Sequence, residues 1–481
     1  MPLVAPHVEV AFSEAPTVLP VARRSRVRGT CDASLPKRIT LLHLNDLQAR
    51  YSDLLEGKSR YAYLAGYLRS EIEKDPNTLV MSAGDDYEKG AIAELRSMGE
   101  STRQMVQALP IDVRTIGNHD FSYGVDAVVR DATLSAHPVL AANITTREIS
   151  NPFVSYAAFQ VGCVKVGVAG LVTGNYGADD EPTKEPFDGV FEQNGRYAET
   201  LLREVNAHRD EVDVMIALTH VGLYTDQQLA MKVPGVDLVI GAHTEDLLKE
   251  PFRVFRNDGS RAWVLQAGHY GKTIGRAELS VSDKGISIEK YSIVPIDASL
   301  PVAEDVDELA LRLDAQHAPD ARRAIGRVGR SIARGRPMAE FAWRAVSSTY
   351  AVDAMIVGYD VFWTDLPAGD LTLQRLYEAV PVQREPAGTS GFSSLVSVEM
   401  PGSQLQALRG RLRADRYAMA LPPTIDPKRT YRVAIEKRAH FSPNFAFYGG
   451  ATFAEGKPLG ELIDPLEAYV RRLSVEGKAV E

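Results

Sequence analysis

Short apolar runs that alternate with helix-length amphipathic segments predict an α/β fold (α+β overall), built from packed layers of sheet and helix. Three observations carry that expectation. Runs such as residues 164–172 are apolar at nearly every position, as strands covered on both faces must be. The segments between the runs place apolar residues at helical spacing. The chain, at 481 residues, is also longer than one ordinary core organises, so a second domain follows the first.

In chain order, residues 1–37 form an N-terminal arm. Its arginines, Arg23, Arg24, Arg26 and Arg28, come after the apolar residues rather than before them, the wrong order for a secretory signal. No apolar run approaches the roughly 18 residues of a membrane span. The expectation is an extended or partly disordered arm on a cytoplasmic protein with no membrane partner. Residues 39–44 form a strand ending at Asn45-Asp46, and Leu64, Tyr67, Leu68 and Ile72 then mark a helix over 61–73. A second strand, 78–81, ends at Gly84-Asp85. A helix near 91–108 leads to a third, Val113-Arg114-Thr115-Ile116, which stops at Gly117-Asn118-His119-Asp120. Runs at 139–141, 164–172, 214–218, 238–240 and 263–265 repeat the plan. The first domain therefore spans 38–297. A connecting stretch at 298–335 contains a helix over 307–315 and a basic, Gly-containing run over 322–336 that reads as a solvated linker face. The second domain, 336–481, has a helix at 371–379 and a strand at 392–400.

The composition, 45% hydrophobic and 24% charged, is that of a soluble globular protein. A formal net charge of -9 leaves no basic excess to replace counterions, which argues against a nucleic-acid polymer as partner. Two cysteines, Cys31 and Cys163, make no disulfide framework, and two reduced thiols are expected.

Ligands of layered α/β proteins gather at the carboxyl ends of strands. The polar residues there are Asp46 and Gln48, Asp85, Asn118 and His119, His220, and His243 with Glu245. One Asp after a strand is ordinarily a helix cap, and one histidine ordinarily a hydrogen-bonded core residue. Five strand ends that all finish in metal-binding groups point to a shared centre. The loop Gly84-Asp85-Asp86-Tyr87-Glu88-Lys89-Gly90 lacks the Gly-Lys-Ser/Thr ending of a nucleotide-binding P-loop. Its Asp86 and Glu88 read as solvated, and His269 reads as near the centre without being a ligand.

In order and flanks, Asn45-Asp46, Gly84-Asp85, Gly117-Asn118-His119-Asp120, Leu218-Thr219-His220 and Gly241-Ala242-His243 resemble the calcineurin-like metallophosphoesterases, and more closely their 5'-nucleotidase and UDP-sugar hydrolase branch. Past the linker, Leu366-Pro367-Ala368-Gly369-Asp370-Leu371-Thr372 and Thr430-Tyr431-Arg432-Val433-Ala434 look like that branch's C-terminal domain. The resemblance implies a β-sandwich flanked by helices, then a smaller substrate-binding α/β domain. It also implies two divalent ions about 3.5–4 Å apart sharing a hydroxide that attacks a phosphate ester. Asp46, Gln48 and Glu245 would hold one ion, Asn118, His220 and His243 the other, with Asp85 between them. His119 would stabilise the developing charge or protonate the leaving oxygen. The substrate would be a small phosphorylated metabolite, nucleotide-like by preference, meeting Asn118, His119 and the second domain's Trp363, Phe447 and Phe453.

The sequence departs from the family at several of these positions. Gln48 stands where relatives carry His, and Glu245 where they carry His, Gln or Asn. The resulting oxygen-rich half favours Mn²⁺ or Mg²⁺ over Zn²⁺, so among the candidates for the two divalent ions, Mn, Mg, Zn and Fe, the expectation is Mn. The alternative is a single firmly held ion at His220 and His243. The acid that orients the family's histidine falls at Ser122, leaving Asp120 as substitute. Trp363 replaces a phosphate-side Arg, and Gly449-Gly450-Ala451-Thr452-Phe453 lacks an Asp. Two other readings stay open: the same centre acting on a non-nucleotide substrate in a biosynthetic pathway, and a metal-containing binding module without turnover. Oligomeric state is not legible.

Overall fold

The computed structural model describes residues 26–147, 149–173, 190–193, 195–282, 285–382, 393–409, 417–436 and 456–481. Phe447 and Phe453 lie outside them, as does the Gly449-Gly450 stretch. The chain divides into two compact units, with the boundary between Leu19–His317 and Ala318–Glu481.

The first unit is built on two sheets. A six-stranded sheet runs in the order Gly285–Pro295, Thr273–Ser282, Arg38–Leu44, Thr78–Ser82, Val113–Thr115, Val139–Leu140. The last four strands are mutually parallel, so Asp46, Asp85 and Asn118 leave the sheet along one edge. A seven-stranded sheet runs Val27–Arg28, Tyr156–Val161, Val164–Val172, Val214–His220, Leu238–Ile240, Arg261–Leu265, Phe252–Phe255. Its parallel centre ends at His220 and at Gly241, just before His243.

Side-chain alternation along a strand explains the layering. In Val214–His220, the residues Val214, Ile216 and Leu218 enter one core with Leu41, Leu79 and Met81 of the six-stranded sheet. Met215 and Ala217 face the opposite way and pack with Leu201, Val205 and Leu229 of the helices Tyr197–His208 and Leu223–Lys232. The two sheets therefore meet face to face, and helices cover the outside.

The arm is held more firmly than its composition suggests. Val27–Arg28 is an edge strand, parallel to Gln160 and Val161, and Gly162 donates its N–H to the Arg28 carbonyl at 2.8 Å. The expectation of reduced thiols is corrected: Cys31 and Cys163 form a disulfide, 132 residues apart in sequence. Strand pairing brings the arm alongside the hairpin of Tyr156–Val161 and Val164–Val172, a proximity that neither cysteine's local sequence announces.

The helix expected near 91–108 is two helices, Ile92–Arg96 and Glu100–Ala108, because Met98 and Gly99 both adopt positive φ (53° and 83°) and break the backbone ladder. The stretch read as connector contributes to both units. The helix Glu304–His317 packs on the helix Arg60–Lys74 within the first unit, and Ala324–Val328 pairs antiparallel with Gly369–Thr372 in the second.

The second unit carries a five-stranded sheet, Tyr417–Ala420, Ala354–Gly358, Thr430–Glu436, Ser394–Pro401, Lys457–Glu461. Its core includes Ile356, Val433, Ile435, Met400 and Leu405. The helix read over 371–379 begins at Leu373, because Gly369–Thr372 is strand and the Thr372 hydroxyl accepts from the Arg375 N–H at 3.2 Å as its N-cap. Trp363 follows the strand Ala354–Gly358 and a short helical turn, and its backbone N–H donates to the Ala379 carbonyl at 2.9 Å.

Candidate metal centre

The polar residues at the strand ends converge. Asp85, His220 and His243 each present a ligand atom, all within 4.8 Å of one another. His220 Nδ1 donates to the Ala83 carbonyl at 2.8 Å, which turns Nε2 toward Asp85 Oδ2, 3.1 Å away. His243 Nδ1 stands 2.9 Å from Asn118 Oδ1. Its backbone N–H donates to Asp46 Oδ2 at 3.2 Å, and Asn45 Nδ2 donates to the same oxygen at 2.7 Å. Gln48 Nε2 donates to Glu245 Oε1 at 3.1 Å, and Glu245 Oε2 lies 3.0 Å from His269 Nδ1. His269 thus adjoins the centre through Glu245, the place the sequence suggested for it.

The backbone pays for this convergence in strain. Asp46, Gln48, Asp85, His243 and Glu245 all have positive φ, between 45° and 77°. Left-handed backbone is uncommon outside glycine and collects at functional sites. Close packing also forbids a side chain at Gly117, where a Cβ would lie 2.0 Å from Asp85 Oδ1 and 2.6 Å from His220 Cε1.

The donor set fits a cation. Asp46 Oδ1 and Gln48 Oε1 are buried acceptors without a hydrogen-bond partner among the described residues, an arrangement that costs free energy unless a positive charge meets them. The charges of the side chains say the same. Burial pushes the Asp46 carboxyl up to about 8. Burial opposes charge on His220, yet Asp85 outweighs it and raises the imidazole to about 10. Asp85 is held well below the usual carboxylate range: burial would raise it, but His220 and His119 prevail. The side chains alone therefore keep protons on His220 and Asp46 at neutral pH, and a divalent ion that takes the same atoms displaces them. Cation binding is expected to release protons, to weaken as pH falls below about 10, where His220 is protonated, and to weaken more steeply below about 8, where Asp46 joins it. Calorimetry in buffers of different ionisation heat checks this, and a binding heat independent of buffer would overturn it.

Asp86 and Glu88, which the sequence reads as solvated, are instead buried at 0% and 1% exposure, as is Lys89 at 2%. Asp86 Oδ2 accepts from Arg114 Nη1 at 2.7 Å, and the other arm of Arg114 meets Asp131. Asp120 is turned to the backbone rather than to the His119 ring. Its carboxylate accepts the N–H groups of Asp85 (2.9 Å), Asp86 (3.2 Å) and Gly117, stapling the two ligand loops together. The His119 ring lies between Glu88 and Lys89, while its backbone N–H donates to Asp85 Oδ1 at 2.8 Å. Trp363 belongs to the second unit.

The strand ends of this two-sheet sandwich gather carboxylates, an amide and imidazoles, a donor set able to hold a divalent cation. Residues 39–245 match the family model of calcineurin-like phosphoesterases, so the first unit carries such a domain, and domains of this family use divalent metal ions. Over 320 residues the chain is 28% identical to the 5'-nucleotidase of Homo sapiens, covering 57% of this chain and 53% of that protein. It is 30% identical over 304 residues to the snake venom 5'-nucleotidase of Gloydius brevicauda, covering 56% and 49%. The chain thus spans about half the length of these relatives. Among solved structures, the 5'-nucleotidase precursor of Thermus thermophilus superposes with a TM-score of 0.74 at 20% identity, covering 92% of this chain and 97% of that one. The Thermus sulfate thiohydrolase SoxB gives 0.69 at 18%, covering 91% and 94%. The chain has the two-domain fold of these structures.

Proposed function

We propose that the chain hydrolyses a phosphate monoester of a small soluble metabolite, nucleotide-like by preference, at a centre that holds two divalent ions. The observation that carries this reading is the pair of buried acceptors, Asp46 Oδ1 and Gln48 Oε1, that no donor among the described residues satisfies, beside the Asp85–His220–His243 cluster. One cation answers the cluster, and the pair asks for a second. Asp46, Gln48 and Glu245 would hold that second ion, Asn118, His220 and His243 the first, with Asp85 shared. Carboxylate and amide oxygens favour a hard ion, so Mn²⁺ or Mg²⁺ suits the Asp46 half better than Zn²⁺. When bound, the ions supply Lewis acidity at phosphorus and a more acidic attacking water.

The protein's own residues do the rest. Asn118 and His119 sit at the carboxyl end of one strand, where a phosphoryl group would meet them. His119 is the partly exposed ring, with 12% of its side chain accessible, whereas His220 is fully buried. It is therefore placed to reach a leaving oxygen. Trp363, from the second unit, stands as a candidate for contact with the rest of the substrate.

Metal analysis of the purified protein, followed by turnover of an aryl phosphate and then a panel of nucleoside and sugar phosphates, tests the proposal. Two ions per chain and a preference for nucleotides are expected. Turnover without nucleotide preference would favour a non-nucleotide metabolite, the reading to which the Trp363 position lends itself. One ion and no turnover with any metal would leave a binding module. The Cys31–Cys163 bond further supports an oxidising compartment in place of the cytoplasm, since such bonds seldom persist among reducing thiols. Labelling of both cysteines by a thiol reagent in the unreduced native protein would reject that.

A further inference from the structure

Beside the Asp46 half of the centre, three cationic side chains converge on one turn. The Arg50 guanidinium carbon lies 4.4 Å from the centroid of the Tyr270 ring, and Lys272 Nζ lies 5.0 Å from the same point. Arg60 Cδ passes 3.7 Å from the position a Cβ would take on Gly271, so the third cation flanks that turn as well. Gly268, Tyr270 and Gly271 all have positive φ, from 60° to 78°, and the Tyr270 N–H donates to the Asp46 carbonyl at 2.7 Å. A non-glycine residue persists in that backbone region only where its surroundings enforce it. Arg50 stands two residues after Gln48, and His269, one residue before Tyr270, meets Glu245. The loops that shape the centre therefore also carry the cations.

Cations this close repel one another unless anions separate them. Asp53 stands 3.9 Å from Arg50 Nη1 and 3.6 Å from Arg60 Nε, beyond direct hydrogen-bond range, so one carboxylate is shared loosely between two guanidiniums. Arg60 Nε is buried and makes no hydrogen bond among the described residues. Glu245 also acts on Lys272, but its oxygens are engaged by Gln48 and His269. Burial holds the Lys272 ammonium below its ordinary value, and Arg60 and Arg50 push it the same way. Exposure is graded: the Arg50 side chain is 3% exposed and that of Arg60 14%, while Lys272 is open to solvent. Buried guanidinium beneath an open ammonium suits an oxyanion, because the planar fork matches phosphate oxygens and charge-assisted hydrogen bonds are the strong ones.

We propose that Arg50, Arg60 and Lys272 form an oxyanion subsite for a second phosphate group of the substrate, beyond the one attacked at the centre. The substrate class narrows accordingly, to metabolites that carry two phosphate groups. Its place beside a reacting phosphate rests on the phosphoesterase reading; the anion site itself does not.

Titration calorimetry on the full metal-loaded chain tests the subsite without turnover. The probes are α,ω-alkane bisphosphonates of increasing chain length, each set against the alkylphosphonate of the same length; neither class hydrolyses. At least one bisphosphonate is expected to bind about tenfold or more tightly than its matched monophosphonate. Lys272→Met and Arg60→Met should each erase most of that advantage. In turnover, alkanediol bisphosphates and monophosphates of the same lengths should show the same preference in KM, and it should shrink in both variants. No advantage at any length overturns the proposal, and so does an advantage that both variants keep. Inorganic sulfate whose binding depends on Lys272, while the bisphosphonates gain nothing, would mean a site for a free anion and likewise overturns it. If Arg60→Met does not fold, Lys272→Met, at an exposed position, decides alone. A parent chain that turns over no ester would remove the phosphoesterase reading and leave the calorimetric result to judge the subsite.

Discussion

Replacing Asp85 with alanine is expected to empty the centre and stop the reaction. Its carboxylate is the point where the two halves meet: Oδ2 lies 3.1 Å from His220 Nε2, and Oδ1 accepts the His119 N–H at 2.8 Å. It is also the group that stays charged despite full burial, because His220 and His119 offset the desolvation. Without it, His220 loses the partner that raises its basicity, and the loop carrying Asn118 and His119 loses the anchor at the His119 N–H. Metal content after dialysis should fall to below one ion per chain. Lewis-acid stabilisation of several kcal/mol would go with it, a drop in kcat/KM of about a thousandfold or more. Asp85→Asn keeps the shape and removes the charge, so it separates ligation from packing. Full metal content with activity within about tenfold of the parent would show that the centre does not depend on this carboxylate.

The second large effect concerns stability. Arg114 is fully buried within the short strand Val113–Thr115, with one arm 2.7 Å from Asp86 and the other against Asp131. Burial works against charge on Asp86 and raises its pKa on balance, and Arg114 offsets part of that cost. Arg114→Met leaves two buried carboxylates without a counterion, and losses of about 3–5 kcal/mol are typical of such broken groups. The denaturation midpoint of the first unit should fall accordingly. The triple change Arg114→Met, Asp86→Asn, Asp131→Asn should recover much of the loss, because it removes charge from every member at once. A loss below about 1 kcal/mol in the single variant would mean that water reaches this group. The effect should extend to metal affinity, since Asp86 adjoins Asp85 and the Arg114 strand leads into Asn118.

The residues of the candidate centre were legible because each stands where an apolar run stops, and layered folds gather polar groups there. Asp46, Asp85, Asn118, His220 and His243 needed no pairing information beyond strand order, and the alternating runs at 39–44, 78–81 and 214–218 announced the sheets themselves. Glu88 and Lys89 were not legible. A charged pair in a loop ordinarily faces water, and nothing in the letters says that both will turn through left-handed backbone and point inward. Arg114 did leave a signal, an arginine inside an otherwise apolar run, which a strand covered on both faces tolerates only with a buried counterion. The disulfide depends on an edge pairing of two residues, too short to be read from periodicity.

The six-stranded sheet sends Asp46, Asp85 and Asn118 into the centre, and the seven-stranded sheet sends His220, His243 and Glu245. A cation held by both sets is a clasp across the mouth of the sandwich, reinforced by the His220 contact with the Ala83 carbonyl. Cohesion between the sheets is then linked to ion supply: at a free ion concentration about a thousandfold above its dissociation constant, the clasp adds about 4 kcal/mol. Withdrawal of the ion should loosen the loop end of the seam first, while the apolar interior between the sheets stays shut.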